Sequence, residues 1–164
     1  MNSIKHAVSI VIFMVFLNSC SYAKITGTVV DADTEKPIEN AVVLVEWSVT
    51  KGIPGLTYSK TYKIVETITD KDGKFKVSGV LNPLVGPPVI VVYKKGYVAW
   101  RNDFIFPGWE KRTDFKVERG TRIKLARFKD TYSRDAHHSF MRLGINDASP
   151  EKTPEYFKAE SEEL

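Results

Sequence analysis

At 164 residues, 43% of them hydrophobic and 27% charged, the chain suits one compact domain with appendages and excludes both two complete domains and an intrinsically disordered chain. The formal net charge of +4 is unevenly placed: Lys94 to Lys129 holds eleven Lys or Arg against four Asp or Glu, and Asp147 to Leu164 holds six acids against two bases. This pattern reads as solvated strand faces followed by a solubilising tail, with an anionic partner such as lipid headgroups, or the tail folding onto the basic face, as alternatives. No nucleic-acid-binding module appears, and no nucleic acid partner is expected.

Residues 1–19 read as a targeting segment outside the fold. Lys5 and His6 precede an apolar run from Ala7 to Leu17. That run is shorter than the roughly 20 residues a membrane-spanning helix needs, but it fits the apolar region of a secretory signal. Leu17, Asn18, Ser19 and Cys20 then resemble the lipobox of bacterial lipoproteins, in which the cysteine is acylated. Cys20 is the chain's only cysteine, so it has no intrachain disulfide partner, and acylation gives an exported thiol a use. The alternative is an ordinary signal peptide cleaved after Ala23. The lipobox resemblance implies a membrane anchor of acyl chains such as palmitate on Cys20. Ser21 after the cysteine implies sorting to the periplasmic face of the outer membrane in a Gram-negative host.

Strands follow at short intervals. Lys24 to Asp31 and Asn40 to Thr50 alternate, with Ile25, Gly27 and Val29 on one face of the first and Ala41, Val43, Val45 and Trp47 on one face of the second. With the polar Asp31 to Asn40 between them, they read as a β-hairpin. Lys51 to Tyr58 reads as a Gly/Pro loop and Tyr58 to Thr69 as a third strand. The Asp70-Lys71-Asp72-Gly73 turn reads as a tight hairpin rather than a calcium loop, because the further acids of that loop are missing. Phe75 and Val77 restart the alternation. Val89 to Tyr93 is a strand buried on both faces, and Gly120 to Phe128 closes the β-region. Tyr132, Ala136, Phe140 and Leu143 mark one face of a helix ended by Gly144, and Thr153-Pro154-Glu155 starts a short, frayed terminal helix.

Three phrases, Gly27-x-Val29-x-Asp31 with Thr34, Pro37-Ile38 and Ala41-x-Val43, Thr69-Asp70-x-Asp72-Gly73-x-Phe75-x-Val77, and Val91 to Tyr97, together resemble the carboxypeptidase regulatory-like domain. The resemblance implies a mainly β fold, a seven-stranded Greek-key transthyretin-like β-sandwich over residues 24–128, followed by a helical extension of one or two helices over 129–164. It implies an accessory or interaction module without catalysis. The residues agree. His137 and His138 are adjacent on the predicted helix and lack zinc-ligand spacing, no nucleophile elbow is present, and no metal or cofactor is expected. The candidate binding surface is the aromatic stretch Trp100, Arg101, Phe104, Phe106 and Trp109, which either plugs the end of the sandwich or meets a partner. The resulting expectation is a non-enzymatic cell-envelope lipoprotein with a protein partner. The alternative is a carbohydrate-binding lipoprotein whose Trp100 and Trp109 stack on a glycan.

Overall fold

The computed structural model describes residues 24–162, and the expected targeting segment and Cys20 lie outside them. β1 (Lys24–Asp31) turns Ile25 and Val29 into the interior, as its alternation predicts. Its neighbours are β4 (Lys74–Ser78), antiparallel, and β9 (Arg119–Leu125), parallel. β2 (Val42–Ile53) belongs to a second sheet, ordered β3-β2-β5-β6, with β3 (Leu56–Ile68), β5 (Val89–Tyr93) and β6 (Trp100–Arg101). A small pair, β7 (Phe104–Ile105) and β8 (Glu110–Lys111), stands beside them.

The stretch from Ile25 to Val45 is therefore an arch between two sheets and not a hairpin. Both strands carry an apolar face, and facing each other across the sandwich buries both in one cluster with Trp47, Phe75 and Ile123. The connecting segment satisfies its own backbone: Val29 O accepts the Ile38 N–H at 3.0 Å, and Asp31 Oδ1 accepts those of Asp33 and Thr34 at 3.0 and 2.9 Å. The Asp-Gly turn after β3 also crosses between sheets, because β4 pairs with β1 rather than β3. Asp70 Oδ1 holds that turn through the Asp72 and Lys74 N–H groups, and Gly73 takes φ +70°. The hairpin lies instead where a loop is expected: β2 and β3 run on until Ile53 pairs with Leu56 around Pro54-Gly55.

β5 is buried on both faces, as its unbroken apolar run predicts. Ile90 and Val92 join the cluster between the sheets. Val91 and Tyr93 face outward into a second cluster, covered by α1 (Arg134–Arg142) and α2 (Pro154–Ser161). On α1, Ala136 and Phe140 pack inward as their spacing predicts, whereas Leu143 lies past the last turn and is 37% exposed.

Contrary to expectation, α2 is pinned: Tyr156 and Glu160 are buried. Thr153 offers α2 no side-chain cap, and Glu66 of β3 takes the role, accepting the N–H groups of Glu155 and Tyr156 at 3.2 and 3.0 Å. Replacing Glu66 by alanine removes both acceptors. The expected cost is about 1 kcal/mol, seen as faster amide exchange across 154–161 with the sandwich core unchanged.

Candidate functional site

The aromatic stretch is divided among three environments. Trp100 points into the core between the sheets, its ring edge-on to Phe115 at 4.8 Å and beneath the Arg112 guanidinium at 4.9 Å. Phe106 is buried in the second cluster against Tyr132, His137 and Phe140, with Phe104 packed partly beside it. Trp109 lies on the rim, 38% exposed and edge-on to Phe140. Arg101 is fully buried. Its Nε and Nη2 donate to the two carboxylate oxygens of Asp103 at 2.8 and 2.7 Å, and its Nη1 donates to the carbonyls of Phe140 and Met141 at 3.2 and 3.3 Å. The five residues share no single exposed face, and the stretch forms the seam between sandwich and helices.

The adjacent histidines point to different neighbours, as consecutive helical positions do. His137 is buried, and its Nε2 accepts the Ala99 N–H at 2.7 Å, which puts the ring proton of the neutral form on Nδ1. His138 meets Glu160 at 3.0 Å, where Arg142 also approaches to 2.8 Å. Among the described residues no group of three or more His, Cys, Asp or Glu is placed to hold a metal ion, and no helix is long and apolar enough to cross a membrane.

The motif residues converge at one end of the sandwich. Asp31 Oδ2 accepts the Tyr97 hydroxyl at 2.8 Å and meets Arg127 at 2.8 Å, while the Arg127 guanidinium lies 4.2 Å over the Tyr97 ring. The Thr34 N–H, then the Tyr97 hydroxyl and the Asp33 N–H, hold the Asp31 carboxyl far below its ordinary range, against the opposing effect of burial. Burial, then the bond to Asp31, pushes the Tyr97 hydroxyl up. Because the folded-state value of Asp31 is depressed, its contribution to stability is fully present above the ordinary carboxylate value near 3.8 and is lost as the pH falls below it. In Asp31→Asn the unfolding midpoint should therefore lie lower at neutral pH and fall less steeply than wild type between pH 4 and 2.

Six of the large exposed apolar side chains lie toward the opposite end, Ile53, Leu56, Tyr58 and Tyr62 on the β2–β3 hairpin and Leu81 and Leu84 on the loop before β5, whereas others such as Ile68 and Phe157 stand elsewhere. Lys51 pairs with Tyr58 and Val49 with Lys60, so Val49, Lys51, Ile53, Leu56, Tyr58 and Lys60 share one face. That face continues the alternation of Val43, Val45 and Trp47, past the point where the three-stranded sheet ends. The opposite face carries only Gly52 and the hydroxyl residues Ser48, Thr50, Thr57, Ser59 and Thr61. Reading Gly52, Pro54 and Gly55 as loop markers hides this arm, although the alternation of Val49, Lys51 and Ile53 runs up to the turn.

The sequence matches the family model of the carboxypeptidase regulatory-like domain over residues 24–121. No curated protein sequence matches the chain. Among solved structures, the chain is similar to a streptococcal ancillary pilin, at 17% identity and TM-score 0.33, over 66% of this chain and 30% of that one. It is also similar to the C-terminal domain of the shaft pilin spaA from Lactobacillus rhamnosus GG, at 14% identity and TM-score 0.36, over 66% and 98% of the two chains. A third is the group B streptococcus pilus 2b backbone protein, at 13% identity and TM-score 0.36, over 68% and 43%. The chain thus spans less than half the length of two of the three pilins. With Asp31 and Tyr97 of the first and third phrases bonded to each other, and the family model covering the sandwich through Thr121, the chain belongs to the carboxypeptidase regulatory-like domain family.

Proposed function

We propose that this chain is a non-enzymatic lipoprotein of the cell envelope, held at the membrane through an acylated Cys20, whose sandwich acts as a protein-interaction or structural module. The observation that carries the reading is the placement of a regulatory-like domain from residue 24, four positions after a lipobox-like cysteine. The buried polar groups support a role without chemistry, since Asp31, Arg101 and His137 are engaged in holding strands and helices together. Metabolic labelling with an acyl analogue tests the anchor. Label should appear on the wild-type chain and vanish in Cys20→Ala, which should leave the membrane fraction, and unchanged labelling and fractionation in the variant overturn it. Crosslinking in intact envelopes should capture a protein partner.

The glycan alternative draws on the partly exposed ring of Trp109. A glycan array should then show binding that Trp109→Ala abolishes, and absence of glycan binding by the wild-type chain removes that alternative.

A further inference from the structure

The overhanging β2–β3 hairpin has a core-type apolar face with no sheet opposite it, and its position relative to Cys20 suggests what covers that face. Lys24, the first residue of β1, pairs with Ser78, and Lys63 Nζ reaches the carbonyls of Ser78 and Gly79 at 2.9 and 3.2 Å. The Trp47–Lys63 pair is therefore level with the start of the domain. From Trp47 the hairpin continues six residues to Ile53, about 20 Å at the usual rise of a strand. The chain from Cys20 to Lys24 spans at most ~14 Å when fully extended. The hairpin tip, at the same end of the sandwich as Lys24, therefore reaches farther beyond the domain body than four residues of chain before Lys24 can extend.

The chemistry of this end matches a lipid surface. Residues 48–62 and 79–88 contain no Asp or Glu. Lys51 and Lys60 flank the exposed Ile53, Leu56 and Tyr58 on one face, giving an apolar centre, an aromatic ring and a basic border. Lys24, Lys76 and Arg119 gather at the start of β1 on the other sheet, at the same end of the sandwich, and the ammonium of Lys24 is held below its ordinary range, chiefly by the charge of Lys76, then by burial, and also by the charge of Arg119. Among the described residues no ion pair engages Lys24, Lys51, Lys60, Lys76 or Arg119. By contrast, the basic residues of β9 farther along are paired: Arg122 and Lys124 both meet Glu35.

We propose that the β2–β3 hairpin is a membrane-docking arm, with Ile53, Leu56 and Tyr58 seated in the interface of an anionic bilayer and Lys51 and Lys60 on its headgroups; the inference rests on the reading of Cys20 as the acylated residue. Docking gives the domain a second point of attachment and fixes its orientation. The opposite end, with the Asp31–Tyr97–Arg127 cluster, then faces away from the lipid.

The test uses the acylated full-length chain in vesicles of phosphatidylethanolamine and phosphatidylglycerol. An environment-sensitive fluorophore is placed at Leu56→Cys or, as the control at the far end, at Glu39→Cys. The label at 56 should shift to the blue and be quenched by lipids carrying a quencher on their acyl chains, while the label at 39 reports water. Lys51→Gln with Lys60→Gln should shift the docking equilibrium roughly 30-fold toward the undocked form. Two equally water-like labels overturn the proposal. So does a shift at 56 that follows protein concentration and ignores lipid, which would identify a second copy of the chain as the occupant. Failure of the anchor is read separately. Mass spectrometry showing an unmodified Cys20 removes the lipoprotein reading, and the same labelled chain added to the vesicles still reports whether residue 56 enters lipid.

Discussion

Arg101→Ala should lower the free energy of unfolding by about 3–5 kcal/mol. The guanidinium has no exposed surface, and its donors serve the Asp103 carboxylate and two carbonyls, those of Phe140 and Met141. Those carbonyls belong to the last turn of α1, where backbone acceptors have no partner within the helix and the helix dipole favours a cation. Alanine removes a donor from both carbonyls, leaving that of Met141 to the Tyr156 hydroxyl, and opens a cavity beside Phe140. Asp103 suffers less, because its side chain is 31% exposed and can hydrate. The loss should therefore fall on the helical extension, with amide exchange accelerating across α1 and α2 before the sandwich opens. Tyr156 sharpens this expectation, because its hydroxyl also donates to the Met141 carbonyl, at 2.8 Å, and ties α2 to the same point. Arg101→Met keeps the packing of the stem and removes the donors, so its loss relative to Ala separates hydrogen bonding from cavity formation. A change under 1 kcal/mol in Arg101→Ala by urea unfolding would show that the buried guanidinium does not clasp the helices.

The faces of the strands were legible in the sequence, and their partners were not. Alternation assigns Val43, Val45 and Trp47 to one face and Ile25 and Val29 to another, and both are buried. It carries no information on which strand lies alongside. Turn residues do not resolve this, because Asp31 and Asp70 bond nearby backbone N–H groups in an arch as they would in a hairpin. The family phrases were legible for a physical reason: Asp31 and Tyr97, 66 positions apart, meet in one buried hydrogen bond. Arg101 among aromatics reads as a surface group, and its burial follows only once the end of α1 is placed against it. His137 escapes a hydrophobic pattern because its role is polar, accepting one backbone N–H from Ala99 inside an apolar cluster. On the docking arm, Ile53 and Leu56 obey the alternation up to a Pro-Gly turn, so the signal was present and the turn residues obscured it.

Gly27→Val should cost about 3 kcal/mol, at the upper end of overpacking losses, and Gly27→Ala somewhat less. A Cβ at Gly27 would stand 2.6 Å from the Thr121 carbonyl oxygen and 2.6 Å from Cε1 of Phe75. Phe75 lies directly across from Gly27 on β4, so its ring covers the glycine and can swing aside. The Thr121 carbonyl cannot, because it belongs to the backbone of β9, paired with β1 in parallel from Gly27 to Asp31. The sign of the alanine variant is itself diagnostic. Where a strand glycine has an ordinary φ and open space, Ala stabilises by roughly 0.4–1 kcal/mol through the unfolded chain. Here contact should reverse that sign. Adding Phe75→Leu to Gly27→Ala should recover the part due to the ring and leave the part due to the carbonyl, and a double-mutant cycle in urea measures the split. Complete recovery would place the whole constraint on the ring, and stabilisation by alanine alone would refute the close approach of β9. The residual loss belongs to β9 because that strand closes the three-stranded sheet and leads to Arg127, which meets Asp31 at the far end of β1. A side chain at Gly27 would force β9 outward and loosen Arg127 on Asp31, while the Thr34 and Asp33 N–H groups and the Tyr97 hydroxyl that lower the Asp31 carboxyl stay in place, so the fall in stability between pH 4 and 2 should keep its wild-type steepness.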